Sequence, residues 1–352
     1  MTDRHPAAAL VALARVLLED AGLEPAKAAV VAEVLVEADL LGHDTHGLQL
    51  LLPYLGALDA GTMTASGAVD VVSDRGAVAL WDGRWLPGVW LTAAAVDEAV
   101  ARAGRYGTAT ITIRHSHHIA CLAAFLERAT RHGMMVHLAS SDPSAASVAP
   151  HGGRRAVMTP NPIGIGIPTA DEPILIDVST SITTNGMSGR LAKEGRRFDH
   201  PWLVDASGNA TDDPTVLQAD PRGAILPVGG LDHGHKGYAL GLWVEAMTQA
   251  LGGFGRADAP DRWGAAVFVQ VTDPRAFAGD EAFRRQSDWL AAACRATPTA
   301  PDTEAVRLPG ERALAHKRAA LVDGVALYPG ILEGLRAETV RRGLDWPSAL
   351  AG

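Results

Sequence analysis

The sequence predicts an α/β protein with a strand-rich middle and helical segments contributed by both ends of the chain. Three features predict it. The stretches TATITIR (108–114), MMVHLASS (134–141), ILIDVSTS (174–181) and AAVFVQV (265–271) are apolar or alternate with period two, as strands do. Longer runs with helical spacing lie between them. Helical runs also dominate the beginning and the tail, which predicts a separate, mainly helical layer.

The elements follow in order. Residues 6–21 and 25–41 have helical periodicity broken at GLEP, and Pro25 suits the first turn of the second helix. THGLQLLLPYLGALDAG (45–61) reads as a further helix closed by Gly61. AVDVVSDRGAVALW (68–81) reads as two short strands turning at Asp74–Gly76. LPGVWLTAAAVDEAVARAG (86–104) is a helix with a glycine stop, and ACLAAFLERATRHG (120–133) is another. DPSAASVAPHGG (142–153) is a turn-rich loop. HKGYALGLWVEAMTQALGG (235–253) is an apolar helix with glycine near both ends.

The chain of 352 residues is long enough for two domains, and with 47% hydrophobic and 20% charged residues it has the composition of a globular protein. A net charge of −9 argues against a broad nucleic-acid footprint, although GRLAKEGRR (189–197) offers a local basic spot for a small anion. Cys121 and Cys294 form no spaced metal motif and are expected to be reduced thiols in a cytosolic setting. The N-terminal apolar run is broken by Arg15, Glu19 and Asp20, so neither a signal peptide nor a membrane span is expected.

Chemistry concentrates in polar clusters at strand ends and helix starts, where α/β proteins meet their ligands. GHDTHG (42–47) carries His43, Asp44, Thr45 and His46. RHSHHIA (114–120) places His115, His117 and His118 between a strand and a helix. Asp177 begins the strand-end cluster DVSTS, and LDHGHKGY (231–238) precedes a helix. GIGIP (164–168) is the closest approach to a dinucleotide fingerprint, but it lacks the third glycine and Pro168 blocks a helix start. Three readings of the histidines stay open. His115 and His117 have the His-x-His spacing of a metal hydrolase that would draw on His46, Asp177 or His235. His46 and His118 suit proton transfer near neutral pH, with Asp177 orienting one of them or acting on the substrate. Solvated loop residues are the third reading.

As a set, these clusters resemble the malate/L-lactate dehydrogenase superfamily of non-Rossmann NAD(P)-dependent oxidoreductases. Its members include ureidoglycolate and sulfolactate dehydrogenases, diketogulonate reductase and reductases acting on piperideine-2-carboxylate. ADLLGHDTHG resembles the family's early Ser-His-Gly motif, and RHSHHIA its Asn-His-Phe-Gly motif. SSDPSAASVAPHGG and TPNPIGIGIP resemble the Pro-x-Gly-Gly and Gly-Thr-Asn-Pro segments. LIDVSTS, GHKGYALGLWVEAMTQALGG and RLPGE (307–311) resemble three later motifs, in the same order.

The resemblance implies a homodimer with an unusual nucleotide-binding sheet. Residues 1–114 with 314–352 would form a helical substrate and dimerisation domain, and 115–313 the NAD(P)-binding α/β domain. It implies hydride transfer between NAD or NADP and a small 2-hydroxy or 2-oxo acid, or a cyclic imino acid. His46, His118 and Asp177 would be catalytic, and Thr45, Leu50, Arg114 and His117 would meet substrate. Ser141, Asp177, Val178, Ser179, Thr180, His235, Lys236, Pro309, Gly310 and Glu311 would line the cofactor. No metal, nucleic acid or membrane is implied. A metal-dependent hydrolase using His46, His115, His117 and Asp177, or an inactive ligand-binding paralogue, is the alternative.

Departures from the motifs cluster around the substrate. Leu50 stands where the family has a carboxylate-binding arginine, and leucine makes no bidentate contact. Arg114, Arg190 or His115 is expected to replace it, unless the substrate lacks that carboxylate. Thr45, His117, Ile119 and Ala120 stand for serine, asparagine, an aromatic residue and glycine, and Thr159–Pro160 stands for Gly-Thr.

Overall fold

The computed structural model describes residues 3–350. The short strand β1 (Arg4–His5) leads into α1 (Ala7–Asp20) and α2 (Pro25–Leu40). Leu10, Leu13, Ala14, Leu17 and Leu18 make one buried stripe on α1, at the spacing a single helix face requires. The polar GHDTHG loop and a short 3₁₀ turn then enter α3 (Leu51–Asp59). Next come β2 (Asp70–Asp74), β3 (Val78–Asp82), α4 (Gly88–Tyr106) and β4 (Thr108–Ser116). Gly107 has a φ of 83°, a left-handed turn that lets α4 fold straight back into β4.

The chain continues through α5 (Ala123–Thr130), β5 (Met135–Ser141), β6 (Ile163–Ile167), β7 (Ile174–Val178) and α6 (Asn185–Lys193). Strands β8 (Leu203–Val204), β9 (Ala210–Thr211) and β10 (Ala224–Ile225) make a separate three-stranded sheet in the order β10-β8-β9. Then follow α7 (Gly230–Glu245), which runs on through a π turn at Ala246–Ala250, and β11 (Ala265–Thr272). The chain closes with α8 (Asp280–Arg295), α9 (Glu311–Asp323), β12 (Val325–Ala326) and α10 (Ile331–Arg341).

The main sheet has seven strands in the order β2-β3-β4-β11-β5-β6-β7. Only β3 and β4 are parallel; every other neighbouring pair is antiparallel. β11 takes a central position although it is the last of these seven strands in sequence, which fits its apolar run Ala265–Val269, buried on both faces. Val267, Val269 and Val271 join the core shared with α1, α2, α4 and α5, while Phe268 meets Val244 of α7 on the other side. The result is a sheet between two helical layers.

The GIGIP stretch is strand β6 and not a phosphate loop. Its glycines admit α5: a Cβ on Gly164 would lie 2.9 Å from Leu122 and one on Gly166 would lie 2.7 Å from Thr130. The two ends of the chain meet, since β1 pairs with β12 and α2 packs on α9. The division expected after residue 114 falls inside β4, because β2, β3 and α4 belong to the layers of the central sheet. Among the described residues no helix is long and apolar enough to cross a membrane.

Candidate active site

A buried carboxylate shapes the GHDTHG loop. Asp39, in the last turn of α2, accepts the Leu48 N–H at 2.8 Å. Gly47 crosses directly above it, where an added Cβ would collide with the carboxylate. Backbone bonds His43 N–H to Ala38 O and His46 N–H to His43 O, both 2.8 Å, complete the turn. Thr45 Oγ1 then lies 2.8 Å from His46 Nδ1. Burial pushes Asp39 up to about 7, against the opposing pull of the Leu48 amide.

The histidines of RHSHHIA separate in space. His118 turns into the molecule beyond the end of β4, where its Nδ1 is 2.8 Å from the Tyr54 hydroxyl and 3.3 Å from the Ala120 N–H. An amide only donates, so Nδ1 is the acceptor, Tyr54 donates to it, and the ring proton sits on Nε2. Burial, then the nearby His46 and His117, holds His118 well below the usual imidazole range, so it is neutral at pH 7. Its ring stacks on Trp263 at 4.8 Å and lies 6.2 Å from the ring of His46.

His117 is buried edge-on against Tyr54 and Trp263, and burial lowers it to about 4. It packs behind the cleft and is not among the cleft-lining residues. His115 and Arg114 turn elsewhere and share Asp82, at 2.9 and 3.0 Å. The four side chains of the expected metal set are therefore not brought together. Arg190 is occupied by Asp44 at 3.2 Å and Gln49 at 3.0 Å, with Tyr328 stacked on its guanidinium.

Asp177, near the end of β7, faces His46 and His118 across a cleft of about 540 Å³. Its Oδ2 accepts the Ala123 N–H at 2.8 Å, at the start of α5. Burial lowers the affinity of His46 for a proton, and the Asp177 charge opposes that shift. Thr45, His46, Leu50, His118, Asp177 and Ser179 thus meet in one cleft, together with Trp263 and the first turn of α6. Among the described residues, no arginine or lysine lines it.

The remaining expected residues divide. Ser141 reaches the wall, but its hydroxyl is held by Glu245 at 2.9 Å, Gln249 at 2.8 Å and Arg256 at 3.2 Å. Thr180 is buried, with its hydroxyl donating to Pro160 O at 3.0 Å, while Val178 is exposed. His235 and Lys236 are exposed on the early turns of α7, near where Gly237 packs on Thr180. Pro309 O takes the Leu175 N–H at 3.0 Å, Gly310 packs on Leu175, and Glu311 pairs with Arg295, so this segment closes the outer edge of β7.

Sequence reasoning missed Tyr54, Trp263 and the Glu245–Arg256 pair. Tyr54 sits in an apolar helix and carries no local mark of a polar role. Glu245 and Gln249 did carry one, since they are four residues apart on an otherwise apolar helix.

Comparison with known proteins adds a second line. A family model described as malate/L-lactate dehydrogenase matches residues 6–336. An L-lactate dehydrogenase of Cupriavidus necator is 32% identical over 320 residues, covering 87% of this chain and 88% of the relative. A Delta(1)-pyrroline-2-carboxylate/Delta(1)-piperideine-2-carboxylate reductase of Pseudomonas putida is 30% identical, covering 95% and 96%. In fold alone, the crystal structure of a malate dehydrogenase from Entamoeba histolytica aligns with a TM-score of 0.93 at 21% identity, covering 99% of this chain and 100% of that one.

Proposed function

The chain belongs to the malate/L-lactate dehydrogenase family, and from that premise we propose that it oxidises a small aliphatic 2-hydroxy acid, or reduces the matching 2-oxo acid, with NAD or NADP. The observation that carries the reading is the contrast between two imidazoles in one cleft. His118 is neutral and presents Nε2–H, while His46 lies near the carboxylate that favours its protonated form. Burial lowers the proton affinity of both rings, but only His46 has a carboxylate charge opposing the shift, so His46 is the better placed of the two to take a proton.

The cleft fits a nicotinamide dinucleotide in its volume, which lies in the range of cofactor sites, and in its walls, where Ile119, Leu122, Pro160 and Pro162 supply apolar surface beside a few polar groups. When bound, the nicotinamide supplies or accepts the hydride. We assign its binding to the wall formed by Ser140–Asp142, Thr159–Pro162 and, at the end of β7, Asp177, Ser179 and Thr180. Val178, His235, Lys236 and Pro309–Glu311 are assigned as outer contacts.

In the oxidative direction His46 takes the hydroxyl proton of the substrate. Thr45 fixes the ring through Nδ1, and Asp177 stabilises the imidazolium that forms. His118 donates Nε2–H to the same oxygen as charge builds on it, a neutral donor already in place before the step. The donors available to the substrate carboxylate are the Gln49 and Asn185 amides and the Thr45 hydroxyl. Leu50 offers methyl groups to a short side chain, which favours an alkyl 2-hydroxy acid over a second acidic group.

A second reading is reduction of a cyclic imino acid. It is favoured by a cleft that holds Asp142 and Asp177 with no lysine or arginine, since these carboxylates would stabilise a protonated imine. A substrate panel with both dinucleotides separates the two. His46→Ala should lower kcat by roughly 100-fold or more, the usual worth of a general base, with the dinucleotide Kd within a few-fold of wild type. Wild-type turnover in that variant removes His46 from the mechanism.

Our reading extends to a homodimer. Leu240, Leu242 and Leu251, each about half exposed on α7 and its continuation, offer apolar surface for it. Light scattering of the purified protein reads the assembly directly.

A further inference from the structure

One corner of the cleft holds donor chemistry that proton and hydride transfer do not need. His43 comes from the loop after α2, Cys121 from the connection between β4 and α5, and Asp177 from β7. One ligating atom from each, a ring nitrogen, the sulfur and a carboxylate oxygen, all lie within 4.8 Å of one another. Among the described residues this is the one such group of three. All three side chains line the cleft.

We propose that His43, Cys121 and Asp177 bind a thiophilic divalent cation of the Zn²⁺ class, and that its occupancy blocks turnover by drawing Asp177 away from His46. Cation binding stands on the geometry alone; the block on turnover rests on the functional reading above.

The donor set suits Zn²⁺. One thiolate, one imidazole and one carboxylate match its ligands, and sulfur discriminates against Mg²⁺ and Ca²⁺. Bond lengths near 2.0–2.3 Å put tetrahedral donors roughly 3.3–3.8 Å apart, so closure on the ion needs a contraction of about 1 Å. Three protein ligands leave the fourth position open to the cleft, where a water or a substrate oxygen would sit.

The carboxylate is oriented from behind. Asp177 Oδ2 takes the Ala123 N–H at 2.8 Å and the Cys121 thiol at 3.4 Å, and Oδ1 has no hydrogen bond among the described residues. Outer hydrogen bonds of this kind fix a metal-ligating group. Without a cation, burial and the Asp177 charge keep Cys121 as a thiol. On binding, the S–H bond breaks, the S–Zn bond forms and the proton leaves to solvent. The cation supplies the charge compensation that the buried thiolate otherwise lacks.

Metal-stripped full-length protein titrated with Co²⁺ as an optical probe, and then with Zn²⁺ against a chromophoric chelator, tests the site. The proposal expects one Co²⁺ per chain with a sulfur-to-cobalt charge-transfer band that Zn²⁺ abolishes. Cys121→Ala should lose the band and weaken Zn²⁺ binding by at least about 100-fold. His43→Ala should weaken binding while keeping the band, and Cys294→Ala should change neither; circular dichroism confirms that each variant is folded. Absence of the band in folded wild type, or a band that follows Cys294, overturns the site. Turnover should fall with the same Zn²⁺ midpoint and return on chelation; full turnover at full occupancy overturns the block. The optical titration needs no substrate. Failure of the dehydrogenase reading therefore leaves the band intact, and failure of the site leaves turnover that Zn²⁺ does not touch.

Discussion

Tyr54→Phe isolates one hydrogen bond in the proposed catalytic arrangement. The hydroxyl is fully buried, 1% of the residue being exposed, and donates to His118 Nδ1 at 2.8 Å. The ring packs against His117 and Trp263 at 5.7 and 5.8 Å, and phenylalanine keeps those contacts. The substitution therefore leaves the packing and removes the partner that selects the Nε2–H form of His118. The Ala120 amide remains at 3.3 Å, a longer and weaker restraint. Losing a buried partner costs about 1–2 kcal/mol, with the lower end set by what Ala120 still satisfies. In the proposed mechanism Nε2–H is used as charge develops on the substrate oxygen, so that cost would fall on the transition state. At 1.36 kcal/mol per tenfold, kcat should drop roughly 5- to 30-fold. KM should stay within a few-fold, and urea unfolding should show a loss of about 1 kcal/mol. Steady-state kinetics on a folded variant is the assay. A kcat within twofold of wild type would refute the tautomer assignment and the role given to His118.

Two further outcomes follow from the loop and the cleft. Asp39 is buried with its affinity for a proton raised to about 7, against about 3.9 in the unfolded chain. Its stabilisation is complete below pH 4 and is lost as the pH rises through 7, a change on the order of 4 kcal/mol. Asp39→Asn should flatten that fall, so urea midpoints at pH 5 and pH 8 should lie closer together than in wild type; equal slopes contradict a buried neutral acid. Leu50→Arg places a guanidinium in a cleft lined by no arginine or lysine. Activity on 2-oxo dicarboxylates should rise relative to pyruvate, and an unchanged preference across the panel would sink the idea that Leu50 helps select the substrate.

The fold was legible where periodicity is strong. The two opening helices, the short strand pair and the four apolar strands all appear at or near the expected places. β6 was not legible, because Gly164 and Gly166 weaken its strand pattern and are there to let α5 approach. Nor was the mainly antiparallel pairing, since strands separated by helices read equally well as parallel, and only contacts between distant segments place β11 in the centre. At the site, His46, His118 and Asp177 were found as members of polar clusters and do share a cleft. The clusters could not say which histidine of RHSHHIA turns inward. A backbone with φ of 50° at His115 sends that side chain to Asp82, and the answer for His118 lies in Tyr54, more than sixty positions earlier. Asp39, the acid that shapes the loop, carries no mark of its role within ADLLGHDTHG, because only its burial and its bond to the Leu48 amide reveal it.

The most direct test is a fluorescence titration of metal-free protein with NADH and with NADPH, followed by addition of 2-oxo acids and cyclic imino acids to the complex. Trp263 lines the cleft and serves as an internal probe. Saturable quenching by at least one dinucleotide, followed by its oxidation when an acceptor is added, is the predicted result. Failure of both dinucleotides to bind the folded protein would contradict the account.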